Sequence, residues 1–173
     1  MTAVRWRFSP DDDRPIERTL MTEHSTHTSR PLARIAAFAV GALFLVVGIL
    51  GFLPGATTGY DTLDWAGHHS EAEILGVFQV SILHNAVHLL FGVAGVVMAR
   101  TAAAARLFLL GGGLIYLLLW LYGLIIDQDS AANFIPVNTA DNWLHLGLGI
   151  AMLGLGLLTS GRAKHTAAAP TSP

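Results

Sequence analysis

Between Ile35 and Leu53 the chain runs for nineteen residues without one polar side chain. A helix needs ~20 residues to cross a ~30 Å hydrocarbon core. Three comparable runs follow. One ends in Ile82–Ala99 and begins near Ile74. The next, Leu107–Ile126, is uncharged throughout. The last is Trp143–Leu158, or Asn142–Gly161 with its small polar ends. The expected spans are therefore 35–53, 74–99, 107–126 and 142–161. No strand-like alternation competes with them. In lipid every backbone group must be paired within the segment, which leaves helices as the solution. The expected fold class is all-α, an integral membrane antiparallel four-helix bundle with disordered termini.

Composition agrees. The chain is 53% hydrophobic and 13% charged, about half the charge of a typical soluble domain. The absence of cysteine excludes a disulfide scaffold and thiolate metal sites. A net charge of −2 carries no nucleic-acid signature. The lipid bilayer is the expected partner.

Charge placement sets the expected orientation. Arg5, Arg7, Arg14, Arg18, Arg30 and Arg34 precede the first span. Arg100 and Arg106 lie between spans two and three, and Arg162 and Lys164 follow span four. The other two connections hold Asp61, Asp64, Glu71, Glu73, Asp127, Asp129 and Asp141, with no Lys or Arg. The positive-inside rule then predicts a multi-pass plasma-membrane protein with both termini cytoplasmic. Loops 54–73 and 127–141 are extracytoplasmic in that reading. The first span is expected to be retained: its run exceeds a usual signal core and ends in Pro54-Gly55 without an A-x-A site.

The domain reading has three parts. Residues 1–29 are polar and expected as a disordered cytoplasmic tail, with Met21 an alternative start that would make 1–20 an upstream extension. Residues 30–161 form the four-span membrane domain. Residues 162–173 are an Ala/Thr/Pro tail, also expected to be disordered and cytoplasmic. Ser70-Glu71-Ala72-Glu73 has the form of a capping box, so span two is expected to begin as a helix outside the membrane. Asn138 or Asp141 is expected to cap span four.

Asn85-Ala-Val-His88-Leu-Leu-Phe-Gly-Val-Ala and Asn142-Trp-Leu-His145-Leu-Gly-Leu-Gly-Ile-Ala share one pattern, 57 residues apart. Both lie on spans of the same direction. Two parallel-repeat hairpins, spans one–two and three–four, would explain this; chance similarity of apolar segments is the competing account. Spans one and three show no clear match by eye.

His84-Asn85-x-x-His88-Leu-Leu-Phe-Gly-Val-Ala-Gly, Tyr116-Leu-Leu-Leu-Trp120-x-Tyr122-Gly and Asn138-Thr-Ala-Asp141-Asn142-Trp-Leu-His145 carry a resemblance. Over about residues 31–160 the chain resembles the actinobacterial membrane proteins grouped as domain of unknown function 4383. The resemblance implies a four-helix inner-membrane protein. It implies no activity, substrate or site residue.

The spans hold an unusual polar set. Ser81, His84, Asn85, His88, Gly92 and Gly95 recur at helical spacing on span two, and Asn142, His145, Gly149 and Gly156 on span four. Counted from Arg100, His88 lies ~18 Å deep and His84 ~24 Å. Polar groups at such depth should face protein or a wet cavity. The plainest role is helix–helix contact, with Asn85, His88, Asn142 and His145 as one hydrogen-bonded cluster in the outer half. The sharper role is a site: His84, His88 and His145 as ligands of a divalent metal or haem, or as a proton path. No cofactor is expected on the first reading. Asp61, Asp64, His68 and His69 in the outer loop are a second candidate cation site, set against an ordinary solvated acidic face.

No paired carboxylates and no Ser/His/Asp order point to catalysis. The reading is a non-catalytic structural or accessory membrane protein, acting through its outer loops, as a homo-oligomer or with a membrane-protein partner. The alternative is a cofactor-, metal- or proton-handling membrane protein using His84, His88 and His145.

Overall fold

The computed structural model describes residues 14–159, with side chains from Arg30 onward. Four helices dominate: α1 (Arg14–Leu50), α2 (Ile82–Met98), α3 (Ala102–Ile125) and α4 (Thr139–Leu158). Three two-residue strands lie between α1 and α2: β1 (Thr57–Thr58), β2 (Glu73–Ile74) and β3 (Phe78–Gln79). They pair antiparallel in the order β1-β2-β3, with Thr57 opposite Ile74 and Ile74 opposite Phe78. Arg30–Leu50, α3 and α4 are long and apolar enough to cross a membrane; α2, at 17 residues, is shorter.

The helices pack as two hairpins. α1 lies along α2 and α3 along α4, and the hairpins meet chiefly through α1 and α3. Phe44, Phe108, Leu109, Tyr116 and Met152 fill that seam. Aliphatic side chains such as Ile35, Leu90, Leu107 and Leu158 stand exposed around it, as lipid-facing positions would. One end of the bundle is basic. There Arg34 donates from Nε to the Ala99 carbonyl (3.1 Å) and Arg106 to the Gly156 carbonyl (3.0 Å). Each arginine reaches a carbonyl near the end of its hairpin's second helix.

One expectation needs correction at the other end, which carries the long loops, and a second at the basic end. The segment from Ser70 to Val80 is not the start of a helix. Leu75 and Gly76 both adopt positive φ, 56° and 67°, and turn the chain between β2 and β3. Residues Ile74 and Val80 alternate inward beneath that turn and pack with Ala72 against Val47 and Leu63. A helix here would have scattered them around its circumference. The Ser70 hydroxyl therefore caps nothing; it donates to the Val80 carbonyl at 2.5 Å. The helix begins at Ile82 because its first amides are satisfied there. Ile82 and Leu83 donate to the Asp64 and Trp65 carbonyls, and His84 to the Ser81 hydroxyl.

The second correction concerns the N-terminal segment. α1 starts at Arg14, so residues 14–29 are helical where a disordered tail was expected. A helix nucleated by the apolar run extends at little further nucleation cost. Pro31 lies inside it and removes one ladder bond. At 37 residues α1 is ~55 Å long, more than a hydrocarbon core spans. Residues 1–13 and 160–173, with Arg5, Arg7, Arg162 and Lys164, lie outside the described residues. The expected C-terminal tail and the last two residues of span four fall there.

Candidate functional site

Asn138 caps α4, as expected, and Asp141 completes the box. Asn138 Oδ1 accepts from the Asp141 amide at 2.9 Å, and Asp141 Oδ2 accepts from the Asn138 amide at 3.1 Å. The same Oδ2 accepts from the Gln79 amide at 3.1 Å, while Asn138 Nδ2 donates to the Val77 carbonyl at 2.8 Å. Asp141 was legible as one more outer acid and as an alternative cap of span four. In the fold it is buried and pins the small sheet to the start of α4.

Below this junction the aromatic and imidazole rings form a continuous chain. His84 and His88 stack with centroids 4.6 Å apart. His88 meets the edge of Phe44 at 5.6 Å, Phe44 stacks on Tyr116 at 5.5 Å, and Tyr116 meets His145 at 5.2 Å. The structure thus brings His84, His88 and His145 around one partition. Phe44 and Tyr116 complete it, and neither was singled out for that role. A phenol, Tyr116, near the middle of an uncharged span was the available signal.

The partition separates two cavities. One, of about 120 Å³, lies between α2 and α3 beneath Phe134 and Ile135. The other, of about 320 Å³, lies between α1 and α4 beneath Ile74, Leu75, Phe78 and Val80. His84, His88, Tyr116 and His145 line both. His88 Nδ1 lies 3.0 Å from the His84 carbonyl. A carbonyl only accepts, so that proton sits on Nδ1 and Nε2 is left as a lone pair. Nδ1 of His84 and Nδ1 of His145 are buried without a partner.

The two asparagines do something else. Asn85 Nδ2 donates at 2.8 Å to the Gly51 carbonyl, just past the end of α1. Asn142 nests against Gly123, where a Cβ would come within 1.9 Å of Asn142 Oδ1. Each asparagine serves its own hairpin. Among the described residues no hydrogen bond joins His88 to His145 or Asn85 to Asn142, so the single cluster expected from the repeat is not formed. α2 and α4 lie diagonally across the α1–α3 seam, which holds the two motifs apart. Ser81 acts as the α2 cap.

Among the described residues no group of three or more His, Asp or Glu is placed to hold a metal ion. His84, His88 and His145 share a partition without converging on a point. In the outer loop His68 and His69 stack at 3.9 Å, and Asp64 Oδ1 accepts from the Trp65 amide. Asp61, Asp64, His68 and His69 make no such group either.

This arrangement can be set beside known proteins. The model of the family described as "Domain of unknown function (DUF4383)" matches residues 34–158. The chain belongs to this family. The DUF4383 match runs from Arg34, at the basic end of α1, to the last residue of α4, so it spans both hairpins and the whole partition. No curated protein and no solved structure matches the chain at significance.

The Asn85 contact yields a direct expectation. Asn85→Leu leaves the Gly51 carbonyl buried without its donor. The cost should be about 1–2 kcal/mol, read as a lowered unfolding midpoint in mild detergent. An unchanged midpoint would mean the end of α1 does not depend on this bond.

Proposed function

We propose that the chain is a non-catalytic plasma-membrane protein of structural or accessory kind, with both termini cytoplasmic and loops 54–73 and 127–141 outside. The observation that carries this reading is where its strongest polar side chains are spent. Arg34, Arg106, Asn85 and Asp141 each bond to backbone of a neighbouring element of the same chain. Side chains committed to joints are not free to attack or protonate a substrate. The loops at the acidic end, tied together by the Gly67 amide on the Phe134 carbonyl (2.8 Å), offer the surface on which a second copy or a membrane-protein partner would act.

The Lys/Arg distribution supports the orientation, with Arg30, Arg34, Arg100 and Arg106 at one end and the acidic loops at the other. Reporter fusions should be cytoplasmic after residue 102 and external after residues 62 and 132. An external reporter at 102 would overturn the orientation.

A second reading, a cofactor-, metal- or proton-handling protein using His84, His88 and His145, is favoured by one observation: Nδ1 of His84 and Nδ1 of His145 are buried among the described residues with no hydrogen-bond partner. An optical spectrum and metal analysis of the purified protein separate the two. A Soret band, or stoichiometric metal lost in His88→Ala, supports the second reading; a protein with neither supports the first.

A further inference from the structure

The two cavities are lined by corresponding residues. Spans two and four correspond at a separation of 57 residues, and the structure supplies the missing match between α1 and α3, at 72. Arg34 and Arg106 make the same bond to the partner helix. Gly41 and Gly113 sit at the same close approach, against Gly92 and Gly149. Gly51 and Gly123 receive Asn85 and Asn142. Ser81 and Asn138, also 57 apart, are the caps of α2 and α4.

The same separations map one cavity onto the other. His84, Val87, His88 and Phe91 line the first; their counterparts Asp141, Leu144, His145 and Leu148 all line the second. The α3 wall of the first repeats on α1, with Tyr116 answered by Phe44 and Ile115 by Leu43. Even the exposed rims correspond: Val87 and Ile115 on one side, Leu144 and Leu43 on the other. These rims lie partway along the helices, so each cavity has an exposed apolar flank on the side where acyl chains would lie.

We infer that these are two quasi-equivalent binding sites, entered from the lipid and separated by the ring partition, for a neutral ring compound bearing a hydroxyl group, the phenol class. Three observations select that class. The walls are mostly apolar, and the one carboxylate among them, Asp141, is already held by the Gln79 and Asn138 amides. An uncharged ligand therefore suits them. The smaller cavity, about 120 Å³, is close to the ~150 Å³ of an apolar cavity that admits benzene. With its proton held on Nδ1 by the His84 carbonyl, His88 offers Nε2 as an acceptor on a cavity wall, and a ligand hydroxyl would donate to it. His145 holds the corresponding place on the other side.

The test uses 4-fluorophenol and 4-fluorotoluene, near-isosteres that differ in the hydroxyl, with fluorine NMR on the full chain in detergent. Micelle partitioning is subtracted with protein-free detergent. The wild-type chain should show two bound 4-fluorophenol resonances, at least tenfold tighter than 4-fluorotoluene in the site beside His88. Val87→Phe, at an exposed rim position that tolerates bulk, should remove one resonance, and Leu144→Phe the other. His88→Phe should abolish the preference for the phenol, and His88→Gln, whose amide reaches about as far as Nε2, should retain part of it. Equal affinity for the two compounds in the wild-type chain would overturn the ligand class. A spectrum unaffected by both rim variants would overturn the sites themselves. The rim variants decide the matter even where His88→Phe fails to fold.

Discussion

Replacing Gly41 by valine will drive α1 away from α2. A Cβ at Gly41 would stand 2.8 Å from the Val96 amide nitrogen and 2.9 Å from the Gly92 carbonyl oxygen. These are backbone atoms of an intact helix, with no rotamer to turn aside. The strain can be relieved only by separating the helices, which breaks the contacts below and above, including the Arg34 bond to Ala99. The expected loss is about 3 kcal/mol, at the upper end of overpacking costs. Gly113→Val should behave alike, since its Cβ would meet the Leu153 amide at 2.8 Å. Gly147→Val is the control: nothing lies within 4 Å of a Cβ there, and the change should stay within about 0.5 kcal/mol. Helix content followed by circular dichroism during denaturation from mild detergent into sodium dodecyl sulfate measures all three. Equal midpoints for Gly41→Val and Gly147→Val would show that the α1–α2 approach is looser than described.

The second large effect is expected at Asp141. Asp141→Ala removes the acceptor of two amides from different elements, Asn138 and Gln79, at a buried position. Hydrogen bonds to a carboxylate are worth roughly 1.5–3 kcal/mol each, and the loss of both should cost about 3 kcal/mol. The damage should be local as well as global. With β3 unpinned, protease should cut between residues 70 and 80 before the spans unfold. Asp141→Asn keeps one acceptor oxygen and should recover about half of the stability. If Asp141→Ala matches the wild type in both midpoint and protease resistance, the sheet is held by its apolar contacts to Val47 and Leu63 instead.

Much of this was visible before any coordinates. The apolar runs located all four helices, because solvent contrast with lipid acts on composition over ~20 residues and needs no tertiary detail. The Asn138 cap was readable because its hydrogen bond closes within three residues. The matched Asn-x-x-His patterns announced a repeat on spans two and four. Its other half went unseen because α1 and α3 share few residue types in a row. What they share is spacing: an arginine, then glycines seven and seventeen residues later.

The outer segment was misread for a physical reason. Ser70-x-x-Glu73 has the local form of a helix start, and local form is all that a short window reports. The Leu75-Gly76 turn and the burial of Ile74 and Val80 over the end of α1 outweigh it. Likewise, periodicity placed His84, His88 and His145 on faces turned into the bundle. It could not say which partners they meet, because ring-to-ring contact depends on how hairpins pack across α1 and α3.

Helix number, span position and the basic–apolar–acidic ordering therefore belong to the sequence alone, since each follows from local composition and short-range bonding. The diagonal placement of α2 and α4, the ring partition, the paired cavities and the Asp141 pin belong to the tertiary structure. Each of these depends on contacts between residues distant in the chain, between segments whose mutual angle and register no local pattern encodes.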